Sequence, residues 1–185
     1  YADGSSYYGQ WKDDLPHGRG TRTVVSGGEY GGGGYTYSGE MVEGVRCGVG
    51  TLRLHESGDT VEGEWAEDGT LSDAVVRFAG GGQYDGDLDS ELRPHGDGRR
   101  VYADGTRYSG AFLHGARDGH GVCTTATGEE YDGGWADGKR DGQGVSIVLP
   151  VDEAERQRSR VSASLLVHRE KHFLRLQSAQ AQGRA

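Results

Sequence analysis

Large apolar side chains recur at regular intervals along the first 149 residues of the chain. A shared frame begins at six positions, which are 23 to 30 residues apart: Tyr7, Tyr37, Val61, Tyr84, Tyr108 and Tyr131. A second large apolar residue follows four positions after each start: Trp11, Met41, Trp65, Leu88, Phe112 and Trp135. A fixed period of this size indicates a repeat architecture in which each unit is one supersecondary structure.

Each repeat of the frame begins with the alternation of a β-strand, and a glycine stands between the two large residues. Positions 0, 2 and 4 of a strand face the same side of a sheet. Tyr131, Gly133 and Trp135 are therefore predicted to lie in one row. Glycine inside a strand usually marks a place where another group approaches the backbone closely. We expect an aromatic ring to lie flat over this bare backbone.

The rest of each repeat predicts a turn, a second strand and a second turn, so that each repeat is one β-hairpin. Glycines at position 7 and in Asp-Gly pairs supply the positive φ that such turns need. A Gly-x-Gly pair follows the turn in five repeats. Repeat three departs from the frame, because Val61, Ser72 and Ala74 replace its tyrosine and both glycines of the pair.

These hairpins predict an all-β fold over residues 1–149: an elongated, single-layer antiparallel β-meander of about twelve strands. The composition agrees, because the chain has 35 glycines and only 33% hydrophobic residues, too few for a thick two-layer core. Residues 27–36 are a glycine-rich insertion, which we interpret as either a loop or a decayed hairpin.

The residues after the repeats have a different pattern, which places a domain boundary between residues 149 and 150. Asp152 and Glu155 have the spacing of an N-cap and its capping-box partner. One face of the helix that follows carries Val161, Leu165, Leu166, Phe173 and Leu176. Residues 150–185 therefore predict a linker and one C-terminal amphipathic α-helix over about 153–181.

The frame Tyr-x-Gly-x-Trp-x-x-Gly, followed by Gly-x-Gly, resembles the MORN repeat (membrane occupation and recognition nexus). The resemblance covers residues 1 to about 149 as six repeats. It implies a non-catalytic scaffold of the cytoskeleton, of a cilium or flagellum (as in radial-spoke heads), or of a membrane junction. The alternative is a targeting or regulatory module of a larger enzyme, such as a lipid kinase or methyltransferase. Residues 1–6 match the end of a repeat, which indicates a fragment of a longer protein.

The charge of the chain is unevenly distributed. The net charge is −9 overall, −12 over residues 1–150 and +3 over residues 151–185. An acidic repeat body argues against nucleic acid as a partner and gives no support for simple attraction to anionic lipid. It favours a basic polypeptide. Cys47 and Cys123 lie in different repeats, so a disulfide is not expected, and two free thiols suit a cytoplasmic protein.

Candidate chemistry is sparse. His17 and His95 precede a Gly-x-Gly pair and are interpreted as turn residues. His168 and His172 have a spacing that would place them on one helix face, but without a nearby carboxylate or cysteine they do not predict a metal site. Neither a phosphate-binding glycine motif nor a nucleophile elbow occurs. We therefore expect no enzyme, no cofactor and no metal.

The aromatic stripe is the candidate binding site, in addition to its structural role. It comprises Tyr7, Trp11, Tyr37, Met41, Trp65, Tyr84, Leu88, Tyr108, Phe112, Tyr131 and Trp135. A single-layer sheet should leave such a strip uncovered, and uncovered apolar strips mark partner sites. The expected partner is a basic amphipathic helix, either the chain's own helix or that of another chain, and a homodimer is compatible with this. The alternative is that the helix projects away as a linker or pairs with another helix.

Overall fold

The computed structural model describes residues 4–27, 30 and 32–148, which form one antiparallel sheet of twelve strands. The strands are β1 (Ser6–Lys12), β2 (Leu15–Val24), β3 (Tyr35–Val42), β4 (Val45–Leu54), β5 (Thr60–Trp65), β6 (Leu71–Arg77), β7 (Gly82–Leu88), β8 (Pro94–Tyr102), β9 (Arg107–Leu113), β10 (Ala116–Thr124), β11 (Glu129–Ala136) and β12 (Lys139–Val148). Their order in the sheet is their order in the chain. The prediction of a single antiparallel meander with one hairpin per repeat is confirmed. The predicted helix lies outside the described residues.

The turns inside the hairpins use the positive φ that their sequence predicts. Between β3 and β4, Glu43 and Gly44 have φ values of 50° and 83°. Between β9 and β10, His114 and Gly115 have φ values of 48° and 91°. Positive φ at both central residues is the pattern of a type I′ turn, whose twist matches that of the two strands it joins.

A β-bulge or register shift interrupts each of the six hairpins near the Gly-x-Gly pair or the residues that replace it, and the last hairpin shows its geometry. The register of β11 against β12 shifts between Gly133 and Trp135. On β12, Gly142 has a φ of 73°, whereas Gly144 pairs directly with Gly133. The two glycines of Gly-x-Gly therefore have different roles. The first adopts the conformation of the bulge, and the second leaves space on the face of the sheet.

The interpretation of His17 and His95 as turn residues is wrong. His17 lies inside β2 and His95 lies inside β8. The bulge takes up the positive φ of the following glycine without ending the strand, so strand pairing continues on both sides of it.

The described part of the 27–36 insertion is a loop, and it folds back on the sheet before β3 begins at Tyr35. The Tyr30 ring meets the Tyr35 ring edge to face, with 5.8 Å between their centroids. Arg46 donates a hydrogen bond of 2.8 Å to the Tyr30 hydroxyl. Of the two alternatives, these residues support the loop.

The apolar core lies on one face of the sheet and runs from repeat to repeat. The ring at position 4 of one repeat meets the tyrosine of the preceding repeat edge to face. Three pairs show this with centroid distances of 5.1 to 5.4 Å: Tyr37–Trp65, Tyr84–Phe112 and Tyr108–Trp135. Edge-to-face packing is the geometry that the ring quadrupoles favour, so these contacts couple neighbouring hairpins.

Candidate binding face

We call the side of the sheet that carries the position-0 and position-4 residues the aromatic face. Each of its five frame tyrosines lies over a pair of cross-strand glycines. Tyr108 covers Gly110 and Gly121: a Cβ at Gly121 would overlap the Tyr108 ring, and a Cβ at Gly110 would lie 2.9 Å from the Tyr108 hydroxyl. The Tyr108 hydroxyl donates a hydrogen bond of 3.0 Å to the carbonyl of Ala111. The expectation that a ring lies over the strand glycines is confirmed.

The same hydrogen bond recurs in every repeat that has the tyrosine. The hydroxyls of Tyr7, Tyr37, Tyr84 and Tyr131 donate to the carbonyl three residues further on, at 2.7 to 3.2 Å. Burial raises the pKa of Tyr37 and Tyr84 well above their usual value, and it raises that of Tyr108 to about 12. These hydroxyls therefore stay protonated and act as donors at neutral pH.

Trp135 contacts the tyrosines of two repeats on the aromatic face. Its ring lies 5.4 Å from that of Tyr108 and 5.3 Å from that of Tyr131, both edge to face. Its indole Nε1 donates a buried hydrogen bond of 2.9 Å to the carbonyl of Gly121. Trp11, at the same position of the first repeat, contacts Tyr7 and is 53% exposed.

The structure corrects the expectation that the aromatic stripe is an uncovered strip. Eight of its eleven members are buried: Tyr37, Met41, Trp65, Tyr84, Tyr108, Phe112, Tyr131 and Trp135. Tyr7 and Leu88 are partly buried, and Trp11 is exposed. The rings cover one another, because each bare glycine pair lets a ring lie flat on the sheet. Their role in partner binding stays a prediction.

Arginine side chains form the outer layer of the aromatic face, and the sequence interpretation missed them. Arg46, Arg117 and Arg140 stand directly across from position-4 residues of the adjoining strand, so they share the face with them. The Arg117 guanidinium lies 4.0 Å from the Trp135 ring centroid, and that of Arg140 lies 4.6 Å from the Tyr131 centroid. The sequence did contain a signal for these three arginines, because each of them follows the tyrosine of its repeat by nine residues.

Two more arginines reach this face from the far ends of their strands. Arg22 pairs with Tyr7 and Tyr37, and Arg100 pairs with Tyr84 and Tyr108. Arg100 stacks on the ring of Tyr102 at 4.6 Å. The aromatic face therefore carries five arginines: Arg22, Arg46, Arg100, Arg117 and Arg140.

The opposite face of the sheet carries carboxylates together with arginines such as Arg19 and Arg99. Residues at positions 1 and 3 of the frame point away from the rings. Six of them are acidic: Glu40, Glu62, Glu64, Asp85, Asp87 and Asp132. The turns add further carboxylates, such as Asp13, Asp14 and Asp137. The net charge of −12 over residues 1–150 therefore arises mainly in the turns.

A cleft of about 600 Å³ opens on the aromatic face over the last two hairpins. Arg117, Lys139 and Arg140 supply its cationic lining, and Tyr102 and Trp135 supply its aromatic lining. Cys123 also borders it, with its Sγ accepting a hydrogen bond of 3.5 Å from Arg117. Burial raises the pKa of the Cys123 thiol. Both cysteines of the chain are free, as expected.

One group of potential metal ligands comes together at the edge of the fourth repeat. Donor atoms of Asp89, His95 and His114 lie within 4.8 Å of one another. Arg93 Nη2 already contacts the Asp89 carboxylate at 2.9 Å, and His114 Nδ1 does so at 2.9 Å. Although burial opposes ionisation, hydrogen bonds from His114, Arg93 and the Glu91 amide hold the pKa of Asp89 well below its usual range.

Asp89, Arg93 and His114 form a hydrogen-bonded network that ties the 89–93 turn to the turn at His114, and the His95 ring packs 5.3 Å from the His114 ring. Asp89 also accepts the backbone N–H of Arg93 at 3.0 Å, so its carboxylate organises the local loop. The sequence interpretation missed the network, because Asp89 and His114 stand 25 residues apart and match no ligand motif.

The repeat geometry agrees with a comparison of the chain with known protein families. The MORN-repeat model matches residues 7–29, 37–55, 93–107, 108–130 and 131–147, together just over half of the chain. The chain belongs to the MORN-repeat family. Repeat three lies outside the matched segments, in agreement with its missing tyrosine and glycines. A search of curated proteins finds no match.

MORN repeats are non-catalytic modules that generally mediate protein or membrane interactions. Within the part of the chain that the structure describes, no helix is long and apolar enough to span a bilayer.

Proposed function

We propose that this MORN array is a non-catalytic scaffold whose aromatic face binds a polypeptide. The observation that carries the proposal is the cleft over the last two hairpins, where aromatic rings form the floor and arginines form the rim. Aromatic residues and arginine are the residue types that dominate binding energy at protein interfaces. The proposed setting is cytoplasmic, in a cytoskeletal, ciliary or flagellar assembly or at a membrane junction.

A basic amphipathic helix is a second kind of partner for the same scaffold. Its charge complements the carboxylates of the turns and of the opposite face, and not the arginines of the aromatic face. Residues 150–185, with their net charge of +3 over 151–185 and the predicted helix over about 153–181, are such a segment. We propose that this segment, or its equivalent in a second copy, is attracted to the acidic side.

The alternative role, as a targeting module of a lipid kinase or methyltransferase, would use the same two faces. The presence of a catalytic domain elsewhere in a longer chain would favour this targeting role over the scaffold role.

Site-specific photo-cross-linking in native cell extract tests the scaffold role. The photoreactive residue p-benzoylphenylalanine replaces Tyr102, which borders the cleft, or Val145, which is 64% exposed on the opposite face. We expect a discrete protein adduct from position 102 that is absent or different from position 145. Identical adducts from both positions would mean that the cleft has no specific role. No protein adduct from position 102 would contradict polypeptide binding there.

A further inference from the structure

The aromatic face has cations that no carboxylate of the sheet neutralises. Among the described residues, neither Arg22, Arg100 nor Arg117 has an acidic side chain within ion-pair distance. Arg117 donates instead to the carbonyl of Gly138 at 2.7 Å and lies over Trp135. Arg140 differs from these three, because it contacts Glu129 at 2.8 Å. The aromatic face is therefore locally cationic, although residues 1–150 have a net charge of −12.

The cleft brings several of these cationic side chains together. Arg117, Lys139 and Arg140 line it, whereas Asp104 is its one carboxylate. Lys139 and Arg140 are exposed at its rim. The guanidinium of Arg117 is held from one side by the indole, so its orientation is fixed before a ligand arrives. A fixed guanidinium binds a carboxylate with less loss of side-chain freedom than a mobile lysine does.

The Nε of Arg100 provides a second, independent observation. It is buried and has no hydrogen-bond partner. Its guanidinium stacks on Tyr102, the same ring that lies 5.8 Å from Arg117. The cationic line therefore continues from the cleft onto the neighbouring hairpin. Successive hairpins are about 10 Å apart, since each contributes two strands, and this spacing suits an extended polymer better than a single small anion.

We infer that this cleft takes an acidic polypeptide segment, one that carries carboxylates next to apolar side chains. The inference rests on the proposed function and deepens it, because it specifies that the polypeptide bound by the aromatic face is negatively charged. Carboxylates would pair with Arg117, Lys139 and Arg140, and an apolar side chain would contact the edges of Tyr102 and Trp135. A bilayer surface fits less well. The chain has three lysines, Lys12, Lys139 and Lys171, whereas anionic headgroups are attracted by clusters of Lys and Arg.

Selection from a random dodecapeptide library displayed on phage, with the full chain as bait, tests the inference. We expect the enriched peptides to combine Asp or Glu with aromatic or aliphatic residues. Enrichment of basic peptides would overturn the inference but leave the scaffold function standing. No enrichment above an empty support would count against both.

Affinities of the leading peptide for three variants locate the site. We expect Lys139→Glu and Arg117→Met each to weaken binding about tenfold or more, because each removes a charge-assisted hydrogen bond. Arg99→Met is the matched control, because Arg99 is exposed on the opposite face, next to Arg100 in β8. Thermal melting identifies any variant that fails to fold, and Lys139 is exposed, so its replacement should not unfold the sheet. Unchanged affinity in folded Lys139→Glu and Arg117→Met would overturn the assignment.

Vesicles distinguish lipid from peptide as the anionic ligand. The chain is sedimented with vesicles of phosphatidylcholine and phosphatidylserine at 4:1, with and without a few per cent of phosphatidylinositol bisphosphate. We expect no sedimentation that depends on Lys139. Sedimentation that Lys139→Glu abolishes, and that the selected peptide does not compete, would assign the cleft to lipid headgroups and overturn the inference.

Discussion

The third and fifth hairpins are both antiparallel strand pairs with a register shift, and they differ in their packing on the aromatic face. In the fifth, Tyr108 covers Gly110 and Gly121 and hydrogen-bonds Ala111. In the third, Val61 takes the place of the tyrosine and is also buried.

In that third hairpin, Ala74 replaces the glycine that a ring would cover, and it is buried as well. The space over Gly63 is filled by Leu71, because a Cβ at Gly63 would lie 2.5 Å from Leu71 Cδ1. The comparison teaches that the tyrosine and its second glycine are a matched set, which the third repeat has replaced together. The meander tolerates the replacement because backbone pairing does not depend on the ring.

The largest expected effect is the loss of stability when a tryptophan is replaced by alanine, and its size should differ between a hairpin with the frame tyrosine and the third hairpin, which lacks it. Trp135 contacts two tyrosines, whereas Trp65 contacts Tyr37 and has Val61 at the start of its own repeat. We expect Trp135→Ala to lower the free energy of unfolding by about 3–5 kcal/mol. Trp65→Ala should cost about 1 kcal/mol less, because it loses one fewer ring pair. Urea unfolding followed by circular dichroism measures both.

Trp11→Ala is the control for that experiment, because Trp11 is 53% exposed. We expect it to cost the least of the three. An equal loss for Trp11 and Trp135 would mean that burial of the ring by neighbouring repeats adds nothing.

The next effect concerns the covered glycine itself. Gly121→Ala should cost about 1–3 kcal/mol, because the new methyl group overlaps the Tyr108 ring and forces it to shift. The matched change in the third hairpin, Ala74→Gly, should cost about 1–2 kcal/mol, through backbone entropy and the loss of a buried methyl group without any steric overlap. Melting temperatures of the two variants rank them. Gly121→Ala being as stable as the parent would refute the matched-set interpretation.

A double-mutant cycle tests the coupling directly. Tyr108→Val and Gly121→Ala together reproduce the pair found in the third hairpin. We expect the double variant to be more stable than the sum of the single changes allows, by about 1 kcal/mol, because valine leaves the space that the alanine methyl group needs. Additive losses in chemical denaturation would show that ring and glycine act independently.

The sequence was sufficient to predict the hairpins, the strand order and the ring over the glycines, because all of these follow from local period and turn chemistry. It was insufficient for the charge of the aromatic face. The whole-body charge of −12 favoured a basic partner, whereas Arg100 and Arg117 come to the rings through cross-strand register. Side-chain burial was also misjudged, because a one-layer sheet covers its own rings when they lie flat on glycine pairs.

Loss of one hydroxyl should have a smaller effect. Tyr108→Phe keeps the ring and removes the donor to the Ala111 carbonyl, so we expect a loss of about 1 kcal/mol at pH 7. Tyr8→Phe is the matched control, because Tyr8 is 87% exposed and should change nothing. If both substitutions are neutral in urea unfolding, the hydroxyl hydrogen bond does not stabilise the hairpin.

The smallest effect is the alkaline dependence that the same hydroxyl introduces. Burial raises the pKa of Tyr108 to about 12, from the usual tyrosine value of 10.0, which we assign to the unfolded chain. The unfolded state therefore loses this proton first, and the stability is fully present below pH 10 and is lost as the pH rises toward 12. At pH 10.5 the parent should have lost up to about 1 kcal/mol through Tyr108 alone. Tyr108→Phe lacks this loss, so its stability should fall less steeply than that of the parent or of Tyr8→Phe between pH 9 and 10.5. Parallel slopes for all three proteins would mean that the Tyr108 hydroxyl titrates alike in the folded and unfolded chain, in contradiction to its burial over the glycine pair.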